Sequence, residues 1–256
     1  MADRYGASAE RSLQLRFHTQ TAGVSLTAQQ PELNIARTAI EGLAGVLGGT
    51  QSLHTNAMDE ALALPTEKTA RIALRTQQVI AHETGVASVA DPLGGSWFVE
   101  ELTDEMERRA EQIFAHIEEL GGGSMLEGVY AGIDDGYFQG AIGDSAYHLE
   151  KRINSDRRVV VGVNRFTEGN ESDRLEIFQI AAEQEQAQIK RLHSVKADRD
   201  SAAVRAALAR LGTEAGDAEI NLMPALIDAV SVYATECEIM GALAEVFGRY
   251  VEAPVI

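Results

Sequence analysis

The hydrophobic and polar positions of this chain fall into two textures. In the first half, short runs of period two alternate with longer runs of period 3.6. Leu13 to Gln20 places Leu13, Leu15, Phe17 and Thr19 on one face and Gln14, Arg16, His18 and Gln20 on the other, which predicts a strand with one polar face. Asn34 to Leu47 carries Ile35, Ala39, Leu43 and Val46 at helical spacing and stops at Gly48-Gly49. The next run, Gly48 to Asn56, reads as a strand lying between helices. Thr50, Ser52, His54 and Asn56 point one way, and Gln51, Leu53 and Thr55 the other. Interior parallel strands are normally near-continuous Val/Ile/Leu, so a small polar face here predicts a strand that lines something other than core.

Pro65-Thr66 opens a helix to about Glu83, with Ile72, Ala73, Thr76, Val79 and Ile80 as its stripe. Val86 to Asp91 reads as a third short strand, cut off by Pro92 and the turn Gly94-Gly95-Ser96. Thr103 is the expected cap of a third helix, whose stripe is Met106, Ala110, Ile113, Phe114, Ile117 and Leu120. The order β, α, β, α, β, α is that of parallel α/β architecture. Three strands do not close a barrel, so this half reads as part of a larger body.

From Gly128 onward the texture changes. A helix is expected over Ala141 to Asn154, a strand-like run over Arg158 to Asn164, and a polar linker over Glu168 to Asp173. Beyond it the pattern is helical over Leu175 to Lys196, Ser201 to Leu211 and Ile220 to Tyr250, with Gly212 to Asp217 as a turn.

Composition narrows the function classes. Across 256 residues, 45% apolar and 24% charged is ordinary for a globular chain. A net charge of −17 argues against nonspecific nucleic-acid or anionic-lipid binding, although a local arginine cluster could still hold an anionic small ligand. The lone Cys237, expected in the core, gives no disulfide framework and fits a reducing cytoplasm. No membrane span or secretory leader is expected.

The candidate chemistry sits at strand ends, where ligands bind in parallel α/β folds. These ends are His18-Thr-Gln20, His54-Thr-Asn56 and Asp91-Pro92. Spacing leaves two readings open: ligand-lining residues, or polar residues satisfied in a structural network. No zinc set, GxGxxG fingerprint or P-loop is present. Asp59-Glu60 reads as loop charges, with a helix-cap role possible for the pair. Arg4 and Arg11 could grip phosphate in the guanidinium fork. The charges of Glu183 to Lys190 and Lys196 to Arg205 read as solvated helix faces.

The run RFHTQTAGVSLTAQQPELNIARTAIEGLAGVLGGTQSLHTNAMDEALALPTEKTARIALRTQQ, together with VADPLGGSWFVEELT, VVVGVNRF and GALAEVFGRY, resembles the cobalamin-dependent acyl-CoA mutases of the methylmalonyl-CoA mutase family. The resemblance covers essentially the whole chain, and GGTQSLHTN followed by DEALALPTE is highly specific. It implies the last three β/α units of a TIM-type β/α barrel, residues 1–127, followed by a mainly helical linker, residues 128–256, that would precede a cobalamin-binding domain. In that family the acyl-CoA arm threads the barrel axis. Arg4, Arg16, His18, Gln20, Thr50 and Ser52 are then expected to bind substrate. Gln51, His54, Asn56, Asp91 and Gly94 are expected to face adenosylcobalamin.

The implied activity is the radical 1,2-rearrangement of methylmalonyl-CoA to or from succinyl-CoA in the cytoplasm. The catalytic arginine, tyrosine and histidine of the family, and its Asp-x-His-x-x-Gly cobalt-ligating motif, have no counterpart in this sequence. Turnover is therefore expected only with the rest of the barrel and a cobalamin-binding partner. The alternative expectation is a non-catalytic half-barrel or scaffold that completes another mutase chain.

Overall fold

The structure is a computed structural model and describes residues 2–169 and 175–251. Its elements are α1 (Ala2–Tyr5), α2 (Glu10–Leu13), β1 (His18–Gln20), α3 (Leu33–Leu47), β2 (Ser52–His54), α4 (Glu67–Glu83), α5 (Trp97–Leu120), α6 (Met125–Asp134), α7 (Tyr137–Asn154), α8 (Ala182–Asp198), α9 (Ser201–Ala215), α10 (Met223–Ser231) and α11 (Glu236–Phe247). The chain divides into two compact units, one up to Phe178 and one from Gln179 onward. Residues 127 and 128 lie inside α6.

In the first unit, β1 and β2 pair in parallel, with His18 opposite Ser52, Thr19 opposite Leu53 and Gln20 opposite His54. Among the described residues this two-stranded sheet is the extent of regular strand pairing. The expected third strand is absent: Val86–Ser88 forms a 3-10 turn. Gly85 enters that turn in the left-handed region at φ 73°, and Asp91 is left-handed too, at φ 45°, so the segment has no extended run to offer a neighbour. The first strand is also shorter than its alternation, because Glu10–Leu13 coils into α2. Arg158 to Asn164 forms a turn closed by a bridge between Val161 and Arg165 rather than a strand. Of the expected linker, Asn170 to Asp173 lies outside the described residues.

Helices α3 and α4 cover one face of the sheet. The side of α3 turned inward is not its oily stripe but Asn34, Thr38 and Gly42, at i, i+4 and i+8. Small residues let the layers approach. A Cβ at Gly45 would lie 3.1 Å from Thr19 Cγ2, and one at Gly42 would lie 3.2 Å from Ile80 Cδ1 of α4. Helix α4 is tied to β2 by polar contacts: Gln77 Nε2 donates to the Leu53 carbonyl at 3.1 Å, and the Thr55 hydroxyl donates to the Ala73 carbonyl at 2.8 Å. Its start agrees with the sequence, since the Thr66 side chain caps it by accepting from the Thr69 amide.

Helix α5 begins at Trp97, not after Thr103. The Thr103 hydroxyl instead donates back to the Val99 carbonyl at 2.8 Å, the mid-helix alternative open to Thr. Only Ile117 of the expected α5 stripe is buried; Met106 is 73% exposed, Ile113 47% and Phe114 43%. Most of that stripe is therefore exposed and makes no core among the described residues.

In the second unit, Leu211, Ala225, Ala229 and Ile239 form the core between α9, α10 and α11. The single helix expected over Ile220 to Tyr250 is broken at Val232–Ala234. Tyr233 is left-handed there (φ 63°), and a Thr235/Glu238 capping box restarts the chain. Cys237 is exposed, not buried, because it lies two residues, about 200°, around the helix from buried Ile239. Arg199 leaves the solvated face expected of it. Its Nη1 donates to the Tyr233 carbonyl at 2.7 Å, and its two Nη atoms fork onto Glu238 at 2.7 and 2.5 Å.

That fork gives the second unit an acid-sensitive joint. The Arg199 guanidinium, aided by the amide and hydroxyl of Thr235, holds the Glu238 carboxyl far below the usual carboxylate range. A depressed folded-state value means the contribution is complete above the unfolded carboxylate value of about 4.3. It fades as pH falls from there toward the folded value. Amide exchange in α9–α11 should therefore quicken below about pH 4, whereas Glu238→Gln should exchange faster at neutral pH and show a flatter acid response. Equal acid profiles for both proteins would remove the joint's role.

Candidate functional site

The site is the face of the sheet turned away from α3 and α4. Pleating sends Thr19 and Leu53 toward those helices, where both are half-buried, and leaves His18, Gln20, Ser52 and His54 exposed on the other side. Register makes two facing pairs, His18 with Ser52 and Gln20 with His54. In the first pair, His18 Nδ1 is hydrogen-bonded to Ser52 Oγ. In the second, no side-chain hydrogen bond engages either residue among the described residues, so both are open to a ligand.

The alternation read from the sequence does not extend past the strand. The Thr50 hydroxyl accepts from Thr19 at 2.8 Å and donates to the Ser52 carbonyl at 2.8 Å, which spends it on the helix-facing side. Asn56 is buried, at 2% exposure. Its amide donates to Thr21 Oγ1 at 2.9 Å, and Thr21 Oγ1 donates to Asn56 Oδ1 at 2.6 Å. The Nδ2 of Asn56 is buried without a partner among the described residues, beside Gly23, where a Cβ would come within 3.1 Å of it. Gln51 is exposed, and its Oε1 accepts from the Phe17 amide at 2.9 Å. Arg16 is exposed and donates to Gln14 Oε1 at 3.1 Å.

Asp91 and Gly94 belong to the turn after the 3-10 segment, where the Gly94 amide donates to the Asp91 carbonyl at 3.1 Å. The missing third strand leaves them off the sheet's end. Arg4 lies in α1, and its side chain falls outside the described residues. Among the described residues no three His, Cys, Asp or Glu side chains converge as a metal-binding group.

Sequence reasoning missed the polar layer beneath this face. Thr21, Asn34, Thr38, Thr55, Asn56, Asp59 and Thr69 are all buried. Asn34 Nδ2 donates to the Met58 and Thr27 carbonyls at 2.8 and 2.9 Å, while Arg37 Nη1 donates to Asn34 Oδ1 at 2.7 Å. Asp59, read as a loop charge or a helix cap, is fully buried and lies at the start of α4. Its Oδ2 accepts from the Thr69 hydroxyl at 2.7 Å and the Thr66 amide at 3.2 Å. The available signal was the small polar i, i+4 pair Asn34 and Thr38 in α3.

A second concavity of about 600 Å³ opens on the outer side of α3, lined by Val24, Leu33, Ile40, Leu149, Ile153 and Val160. Arg37 and Glu41 border it but are committed to neighbours: Arg37 Nη2 donates to the Val161 carbonyl at 2.8 Å, and Glu41 Oε2 accepts from the Ala22 amide at 2.8 Å. It is a mainly apolar recess, with Arg158 as the lining cation whose guanidinium has no hydrogen bond among the described residues.

Comparison with known proteins places this geometry in a family. The family model described as methylmalonyl-CoA mutase matches residues 1–249. The chain is 45% identical over 255 residues to the 2-hydroxyisobutanoyl-CoA mutase large subunit of Aquincola tertiaricarbonis, covering 100% of this chain and 44% of that protein. It is 43% identical over 246 residues to methylmalonyl-CoA mutase of Rhizobium meliloti (strain 1021) and 44% identical over 248 residues to that of Escherichia coli (strain K12), covering 96% of this chain and 34% of each. It thus spans between a third and a half of the length of these relatives. With nearly all of its residues under the family model and a parallel strand pair carrying the GGTQSLHTN motif, this chain belongs to the methylmalonyl-CoA mutase family.

Proposed function

We propose that the chain is part of an adenosylcobalamin-dependent acyl-CoA mutase and contributes one wall of the acyl-CoA channel of a β/α barrel. The observation that carries this reading is the open polar face His18, Gln20, Ser52 and His54 on parallel strands whose other face is covered by helices. A barrel filled by its own side chains needs bulky apolar residues inward; a channel for a pantetheine arm needs small and polar ones. Methylmalonyl-CoA is the first substrate to test, with residues 1–127 assigned to the barrel and residues 128–256 to the helical linker.

Adenosylcobalamin, when bound, supplies the radical chemistry. Of the residues expected to face it, His54 and Gln51 are exposed at the sheet, and Asn56 offers from a buried position an Nδ2 without a partner among the described residues. This chain's share is therefore one side of the pocket, with cobalt held by a partner domain or subunit. The work of its own residues is to bind, orient and exclude water from the acyl-CoA, the positioning share of catalysis.

The test is reconstitution. The chain alone should show no mutase turnover with adenosylcobalamin and methylmalonyl-CoA. Supplied with the remaining barrel and a cobalamin domain it should turn over, and His54→Ala should then lower kcat/KM by roughly 10- to 100-fold. Turnover by the chain alone, or an unchanged His54→Ala enzyme, would sink the reading. A stable but inactive assembly would favour a non-catalytic half-barrel, for which the uncovered apolar stripe of α5 is the supporting observation.

A further inference from the structure

We propose that Ser52 is a positioning residue that locks the His18 ring in its Nε2–H tautomer, so that the imidazole shows a single fixed donor to the open face of the sheet. The register places the two residues directly opposite on neighbouring strands, and the contact runs through Nδ1 of the ring and Oγ of the serine. Two considerations set its direction. A neutral imidazole nitrogen is a better acceptor than an alcohol oxygen, and the Ser52 hydroxyl has no other acceptor among the described residues, so its hydrogen goes to Nδ1. A neutral ring that accepts at Nδ1 carries its proton at Nε2. Being anchored on the strand side, the ring is also held against rotation about its side-chain bonds.

His54 provides the contrast within the same face. It is exposed on the adjacent strand and its ring has no hydrogen-bond partner among the described residues. One histidine is fixed and the other free, which a shared exposure or strand position cannot explain. The fixed donor fits a carbonyl acceptor, and an acyl-CoA offers amide and thioester carbonyls along its arm. That assignment of the recipient rests on the acyl-CoA reading above; the lock itself does not.

The experiment reads ring nitrogens directly. This chain is produced with 15N-histidine, assembled with unlabelled remaining barrel, and its six histidines are observed by long-range 15N–1H correlation with their rings neutral. His18 is assigned by loss of its signal in His18→Gln. The expected result is a pyrrole-type Nε2 and pyridine-type Nδ1 for His18, against a mixed pattern for His54. Ser52→Ala should convert His18 to a mixed pattern and Ser52→Thr, which keeps the hydroxyl, should restore the single tautomer. A pyrrole-type Nδ1, or a mixed ring in the unsubstituted protein, overturns the lock without reference to any variant's folding. Acyl-CoA is then added. A shift at His18 Nε2 supports the carbonyl recipient. A shift at His54 with His18 Nε2 unmoved rejects the recipient but leaves the lock. No shift anywhere rejects the acyl-CoA reading itself.

Discussion

Gly128→Ala should unfold the α5–α6 joint, with a cost of about 3–5 kcal/mol. A Cβ at Gly128 would sit 1.8 Å from the Ile117 carbonyl oxygen and 2.7 Å from its carbon. Both are backbone atoms, so no rotamer change relieves the clash; α6 must lift off α5 as a body. The neighbouring turn leaves no slack, since a Cβ at Gly121 would lie 2.0 Å from the Ser124 carbonyl oxygen and 2.3 Å from the Gly128 amide nitrogen. Gly122 and Gly123 hold φ of 61° and 99° between them, conformations in which a side chain is strained. The comparison is Gly143→Ala in α7, where a Cβ meets nothing within 4 Å. That change should be neutral or stabilising by about 0.5–1 kcal/mol. Thermal unfolding followed by circular dichroism separates the two, and similar midpoints for both variants would show that α6 is not held where the structure places it.

Why this joint escaped sequence reading is instructive about what pattern can and cannot carry. Periodicity found α3 and α4 to within a residue or two because capping and stop signals, Thr66 and Gly48 among them, act locally. It did not find which face of α3 is inward. Ile35, Ala39 and Leu43 are the apolar choice, yet Asn34, Thr38 and Gly42 are the buried ones, because the layer they meet is itself polar and close. The third strand failed for a related reason: strand pairing is decided by neighbours, and Val86–Ser88 has none among the described residues. At the site, alternation placed His18, Gln20, Ser52 and His54 on one face and the structure keeps them there, since three paired residues per strand are enough to fix the pleat. Thr50 and Asn56 lie outside that pairing, and each took the nearest threonine as a hydrogen-bond partner instead. The resemblance to the family depended on neither error, because motif identity does not require knowing where each side chain points.

Asp59→Ala should cost the first unit about 2–4 kcal/mol, since it removes a fully buried acceptor from the Thr66 amide and leaves the Thr69 hydroxyl only its contacts with Thr66. The carboxylate is fully buried, and one oxygen, Oδ2, accepts both the Thr66 amide at 3.2 Å and the Thr69 hydroxyl at 2.7 Å. It therefore ties the buried segment Thr55 to Asp59, which follows the site strand, to the first turn of α4. Charge matters as well as contact: the carboxylate lies at the amino end of α4, where the helix favours a negative group, and charge-assisted hydrogen bonds are roughly twice as strong as neutral ones. Asp59→Asn keeps an acceptor but loses the charge, and should fall between the other two proteins, about 1–2 kcal/mol below the unsubstituted chain. The local consequence is faster amide exchange at Thr69 and Ala70, whose amides bond to Thr66, before any change in the second unit. Exchange that quickens equally in both units would mean global unfolding instead. Exchange unchanged at Thr69 and Ala70 would show that the Thr66 cap alone sets the start of α4. In the reconstituted assembly the same substitution should lower kcat more than it raises KM, because loosening the segment behind His54 spoils alignment of the bound acyl-CoA rather than its capture.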